Sequence, residues 1–167
     1  MGSIPVVSVV AYSGTGKTTL LEKLVRELKT RGVRVAVVKH DAHDFDIDKP
    51  GKDSWRFTQA GADVVAIASD THAAIMENRP VPFEDVVGRI FGVDLIITEG
   101  YKTGAFPKLA LRRAATGNDF PVPVSACAAV VSDTPVAADV PAFGLEDIAG
   151  IADFLINFIN YKGETGL

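Results

Sequence analysis

Apolar residues along the chain change period several times, and each change marks a new element. Residues 5–11 (PVVSVVA) form a continuous apolar, β-rich run, the pattern of a strand buried on both faces. After a glycine-containing turn, Leu20, Leu21, Leu24, Val25 and Leu28 recur at helical spacing, predicting a helix over 18–29 that Gly32 ends. Residues 33–38 (VRVAVV) read as a second buried strand. Strand, tight turn, helix and strand make a βαβ unit, which requires parallel pairing and a right-handed crossover.

Downstream, residues 40–53 read as a long polar loop rich in Asp, followed by a short helix over 54–60. Two further strands are predicted at 63–68 and 73–77, then a helix over 83–91 leading into a buried strand at 93–98. Residues 109–112 and 128–131 are additional strands. Ile148, Ile151, Ala152, Leu155, Ile156 and Ile159 make a closing amphipathic helix. There is no internal repeat and no low-complexity linker. The pattern predicts one α/β domain spanning 1–167, an open, mostly parallel, P-loop NTPase-like sheet with helices on both faces.

Composition narrows the class. Of 167 residues, 47% are hydrophobic and 23% charged, as in an ordinary globular domain rather than a disordered chain. No apolar run approaches the roughly 18 residues of a membrane span. Neither a secretory signal nor a myristoylation pattern is read at the N-terminus. The single cysteine, Cys127, excludes an internal disulfide and a multi-cysteine metal cage, so a cytoplasmic protein is expected. The net charge of −4 hides a gradient: residues 1–40 carry seven Lys/Arg against two acids, and residues 41–100 twelve acids against five bases. The basic segment is interrupted by Glu22 and Glu27, so it suits a phosphate ligand but not a nucleic-acid stripe.

The turn after the first strand carries the chemistry. Ala11-Tyr12-Ser13-Gly14-Thr15-Gly16-Lys17-Thr18 matches the phosphate-loop pattern G-x-x-x-x-G-K-[ST] except that Ala11 replaces its first glycine. Gly14 and Gly16 let backbone N–H groups approach phosphate oxygens, and the following helix adds its positive dipole end. Lys17 is expected to reach the β- and γ-phosphates, and the Thr18 hydroxyl to ligate Mg²⁺. Ser13, Thr15 and Thr19 complete the cradle. A dinucleotide fingerprint does not fit, because its third glycine would fall at Thr19.

Ligands in open parallel sheets lie beyond the carboxyl ends of the strands, which sorts the acids. Asp94 opens its strand and Glu99 closes it, roughly 16 Å away. Glu99 is therefore the catalytic and metal-side acid, whereas Asp94 is not. Asp41, after the 33–38 strand, is the second catalytic and metal candidate. His40-Asp41-Ala42-His43 lacks the further ligands of a transition-metal site. Residues 44–48 begin like a calcium loop, but the required glycine and glutamate are replaced by Lys49 and Trp55. Asp133, in Ser132-Asp133-Thr134-Pro135, follows the 128–131 strand and can accept hydrogen bonds from guanine N1–H and its 2-amino group; the same residues also suit a plain turn. The pair Arg112-Arg113 can serve an anionic ligand or lie as surface charge.

Taken together, Ala11 to Leu21, Val38-Lys39-His40-Asp41, Asp46-Ile47-Asp48-Lys49-Pro50-Gly51-Lys52-Asp53-Ser54, Leu95 to Lys102 and Val131-Ser132-Asp133 resemble the molybdopterin-guanine dinucleotide biosynthesis protein B (MobB) family. The resemblance spans nearly the whole chain, and generic P-loop proteins lack the 46–54 segment. It implies a homodimeric, weakly hydrolysing GTP-binding protein of the SIMIBI branch, using GTP and Mg²⁺. Its implied role is to assist a MobA-type guanylyltransferase in attaching GMP to the molybdenum cofactor. It also implies that Asp133 reads guanine and that loop 48–54 contacts molybdopterin or the partner. Competing readings on the same loop are a small-molecule kinase, which usually has an arginine-rich lid, a metal-insertion GTPase, and a non-hydrolysing scaffold.

Overall fold

The computed structural model describes residues 4–40 and 47–165, with side chains as far as Tyr161. The chain groups into two compact units, Met1–His40 with Ile90–Leu167, and Asp41–Arg89.

The first unit is built on six strands: β1 (Val6–Val10), β2 (Val35–Lys39), β5 (Leu95–Glu99), β6 (Lys108–Arg112), β7 (Ala129–Ser132) and β8 (Ala142–Phe143). They lie in the order β2-β5-β1-β6-β7-β8, and every neighbouring pair is parallel. β1 is central, flanked by β5 and β6, which explains its unbroken apolar run. Its Ser8 is buried, and its hydroxyl pairs with Thr98 Oγ1 at 2.7 Å, so no polar group is stranded.

Helices α1 (Lys17–Thr30) and α4 (Ile148–Thr165) pack on one face of this sheet. The α1 leucines Leu20, Leu21, Leu24 and Leu28 meet Val7, Val9, Leu95 and Ile97 of the strands and Ile151 and Leu155 of α4 in one apolar cluster. Leu24 and Leu28 are fully buried, each contributing about 1.5–3 kcal/mol of transfer free energy. The helix ends as expected: Gly32 takes φ +80, and Gly32 N–H and Val33 N–H donate to the Lys29 and Leu28 carbonyls. The other face holds Val10, Ala110, Cys127 and Val130 under Phe120, Val122, Val136 and Val140. Among the described residues of this unit, the helical structure covering that face is the short 3₁₀ turn Val124–Ala126. Pro121, Pro123, Pro135 and Pro141 punctuate the covering segments and leave no room for an α-helix.

The second unit holds α2 (Asp53–Gln59), β3 (Val64–Ala68), β4 (Ala73–Glu77) and α3 (Phe83–Gly88). The strands read at 63–68 and 73–77 form a sheet of their own, pairing antiparallel from Val64↔Glu77 to Ala68↔Ala73. The physical reason is length, since four intervening residues close a hairpin but cannot carry a parallel crossover. Ahead of α2, Lys49-Pro50-Gly51-Lys52 makes a turn with Gly51 at φ +88 and Lys52 N–H bonded to the Lys49 carbonyl. No helix among the described residues is long and apolar enough to cross a membrane.

Candidate functional site

β1 delivers the chain into loop 11–16, and α1 starts immediately after it. Gly14 and Gly16 take φ +76 and +90, the left-handed region that side chains avoid, so both glycines are required by the turn. Ala11 is buried, and Tyr101 is the one non-glycine residue at positive φ among the described residues. The loop entrance therefore has an ordinary backbone at Ala11, so the conformational freedom of a glycine is not required there. Thr15 is buried and its hydroxyl donates to the Tyr12 carbonyl at 2.8 Å, a brace inside the loop. Ser13 and Gly14 are exposed, as are Thr18 and Thr19 in the first turn of α1. That turn has no acidic residue to compete for its N–H groups.

Glu99 sits at the carboxyl end of β5, in register with Val9 of β1 and Lys39 of β2. This puts its carboxylate beside the start of α1. Lys17 Nζ lies 2.7 Å from Glu99 Oε1, and Thr18 Oγ1 donates to the same oxygen at 3.2 Å. Burial pushes the Glu99 carboxyl up, but the hydrogen bond and charge of Lys17, with Thr18 and Lys39 behind them, hold it below its ordinary value. The carboxylate and the threonine hydroxyl form a hard-oxygen donor pair of the kind Mg²⁺ takes alongside phosphate oxygens, so the residues fit that ion. A groove of about 340 Å³ between α1 and β2 runs up to Thr18 and Glu99.

Asp94 occupies the opposite end of β5, where its carboxylate accepts from Arg34 Nε, Arg34 Nη2 and the Arg34 backbone N–H. These bonds hold its pKa at about 2, and it is remote from the loop, as the strand direction required. Asp41, expected at the metal, lies outside the described residues, as does His43. His40 N–H donates to the Glu99 carbonyl, and its ring packs on Tyr101 at 5.0 Å between centroids. Among the described residues no group of three or more His, Cys, Asp or Glu is placed to hold a metal.

Asp133 is exposed just beyond β7, and its Oδ1 accepts from the Ala114 backbone N–H at 2.9 Å. The arginine pair divides. Arg112 turns to the Ser132 and Thr134 hydroxyls and Asp119, with its guanidinium 4.9 Å from the Phe120 ring centre. Arg113 instead reaches the phosphate-loop segment, its Nε donating to the Thr15 carbonyl at 3.0 Å. The sequence gives equal standing to both arginines, and only strand alternation hints that successive residues face opposite ways.

The chain matches the family model for molybdopterin guanine dinucleotide synthesis protein B over residues 6–133. It is 39% identical to a molybdopterin-guanine dinucleotide biosynthesis adapter protein of Haemophilus influenzae, over 95% of this chain and 91% of that one. An Escherichia coli protein of the same description is 38% identical, with 93% and 94% covered. The crystal structure of a MobB protein homolog from Bacillus stearothermophilus superposes with a TM-score of 0.66 at 28% identity, covering 93% of this chain and 98% of that one. On these matches and on its parallel α/β fold, the chain belongs to the MobB family.

Proposed function

We propose that this chain is a GTP-binding adapter of molybdopterin guanine dinucleotide biosynthesis, a cytoplasmic homodimer that serves a MobA-type guanylyltransferase. The observation that carries the nucleotide reading is the convergence of Lys17, Thr18 and Glu99 at the mouth of a glycine loop, where a helix begins. The loop and first-turn N–H groups bind the phosphates. Lys17 leaves Glu99 for the β- and γ-phosphate oxygens. Thr18 and Glu99 hold Mg²⁺, which neutralises phosphate charge when bound. Glu99 also orients water for slow hydrolysis to GDP and phosphate, and Asp41 assists from the end of β2. Asp133 selects guanine at the end of β7. The descriptions of the Haemophilus and Escherichia relatives as adapter proteins support a role beside another enzyme. Loop 48–54, ordered by its Pro50-Gly51 turn, is the surface assigned to molybdopterin or the partner.

The test is phosphate release from GTP and from ATP, with and without a purified MobA-type guanylyltransferase, together with co-purification of the two proteins. Slow release from GTP and retention of the partner are expected. Preference for ATP, or phosphorylation of a small molecule, would move the chain into the kinase class.

A further inference from the structure

We propose that Arg113 is a second phosphate-binding cation, contacting the α-phosphate at the sugar end of the nucleotide, a role that rests on the nucleotide reading above. Its guanidinium lies against the loop itself. Besides the bond from Nε to the Thr15 carbonyl, Nη2 is 3.1 Å from where a Cβ on Gly16 would stand. Gly16 is thus required by its backbone angle, and a side chain there would also crowd the Arg113 guanidinium.

The arginine is held from two sides. Its backbone enters the 3₁₀ turn Ala114–Thr116, where Thr116 N–H and the Thr116 hydroxyl both donate to the Arg113 carbonyl. Asp133 fixes the next residue through Ala114 N–H. Yet the guanidinium forms no ion pair among the described residues, whereas its neighbour Arg112 has Asp119. The acid whose field it shares, Glu146, is bound to Lys23 at 2.5 Å. A half-buried guanidinium without a carboxylate, beside the residue from which α1 starts, is a place for an anion.

The sheet order tells which anion. The carboxyl ends of β5, β1, β6 and β7 stand side by side and carry Glu99, the glycine loop, the Arg112-Arg113 segment and Asp133 in that order. At about 4.8 Å per strand, Glu99 and Asp133 belong to strand ends roughly 14 Å apart. A nucleotide with its metal-bound γ-phosphate at Glu99 and its base at Asp133 passes Arg113 between the two, where the α-phosphate meets the sugar. Lys17 serves the far phosphates, and Arg113 the near one.

Calorimetric titration of GTP and GDP against the parent, Arg113→Gln, Arg113→Lys and Lys17→Ala tests this assignment. Arg113→Gln keeps a donor for the Thr15 carbonyl but removes the charge. It should weaken GTP and GDP by the same factor, about 10- to 150-fold. Arg113→Lys should stay within a few-fold of the parent, and Lys17→Ala should weaken GTP more than GDP. Unchanged affinities in Arg113→Gln beside a loss in Lys17→Ala would overturn the Arg113 role and leave the phosphate loop standing. No loss in Lys17→Ala would instead remove the nucleotide reading itself. A tight Gln variant with a weak Lys variant would make Arg113 a loop brace, and a loss confined to GTP would put it at the wrong phosphate; either result refutes the proposal.

Discussion

Lys17 and Glu99, 82 positions apart in the chain, share a direct contact of 2.7 Å between Nζ and Oε1. Two adjacent strand ends create it: β1 leads through the loop to Lys17, and β5, in register beside β1, ends on Glu99. The Lys17 ammonium is therefore neutralised by the Glu99 carboxylate. On the proposed function a triphosphate would have to compete with this carboxylate for Lys17, and Glu99 with Thr18 would hold Mg²⁺ when it is bound.

This competition gives two opposite mutational effects. Lys17→Ala should weaken GTP by about 10- to 150-fold, the loss of one charge-assisted contact. Glu99→Gln should tighten Mg²⁺-free GTP several-fold, because Lys17 is released, while sharply reducing phosphate release in the presence of Mg²⁺. Titration with and without the metal, paired with a phosphate assay, checks both. Weaker metal-free binding in Glu99→Gln would show that the carboxylate supports the loop rather than competing with it.

Asp94, at the other end of the same strand, is expected to act on stability and not on turnover. Its pKa is lowered from 3.8 to about 2, first by the side-chain bonds from Arg34 and then by the Arg34 backbone N–H. The folded value lies below the unfolded one, so the contribution is complete above pH 3.8 and disappears as the pH falls through about 2. For a partly exposed pair, solvent screening leaves about 1 kcal/mol. Asp94→Asn should lower the urea midpoint near neutral pH accordingly, converge with the parent as the pH falls towards 2, and leave GTP turnover within a few-fold. A larger effect on turnover than that of Glu99→Gln would contradict the direction of β5.

Cys127 should behave as a core residue. It is 7% exposed, its Sγ faces the Pro123 carbonyl, and burial pushes its thiol up, with Lys108 only partly opposing. Thiol-specific reagents near pH 7.5 should react slowly with the native protein and rapidly once it is unfolded. Fast stoichiometric labelling of the native protein would show that the face under Phe120 and Val122 opens readily.

Much of this was legible where one local rule decides the outcome. The four α1 leucines, the Gly32 stop and the strand at 73–77 follow from periodicity and turn chemistry, and the structure repeats them. The opposite fates of Asp94 and Glu99 followed from strand direction. What escaped depends on pairing between distant segments. β8 is two residues long, too short for any periodic signal, and exists because Val130 and Val131 offer it a parallel edge. Arg112 and Arg113 are indistinguishable in sequence until β6 is placed beside β1, which sends one guanidinium to the loop and the other to Asp119.

Base choice supplies the last prediction, and the contact between Asp133 and Ala114 sharpens it. One carboxylate oxygen already accepts from the Ala114 N–H, so the side chain arrives oriented, with lone pairs left for a base. Guanine offers N1–H and a 2-amino group, both donors. Xanthine has a carbonyl oxygen at C2, which repels a carboxylate but accepts from an amide. Asp133→Asn can keep its oxygen on Ala114 N–H and turn its amide towards the base, so the Arg113 segment stays in place. GTP should then bind about 5- to 150-fold more weakly, the worth of a bidentate base contact, and xanthosine triphosphate more tightly. Inorganic triphosphate should bind the variant and the parent alike. Asp133→Ala differs in kind: it also frees Ala114, so it should weaken inorganic triphosphate too if that tie positions Arg113. Equal losses of GTP and xanthosine triphosphate in Asp133→Asn would make Asp133 a turn residue, and guanine would then have to be read by backbone groups. Competition binding of GTP, ATP, xanthosine triphosphate and inorganic triphosphate on the three proteins decides between these outcomes.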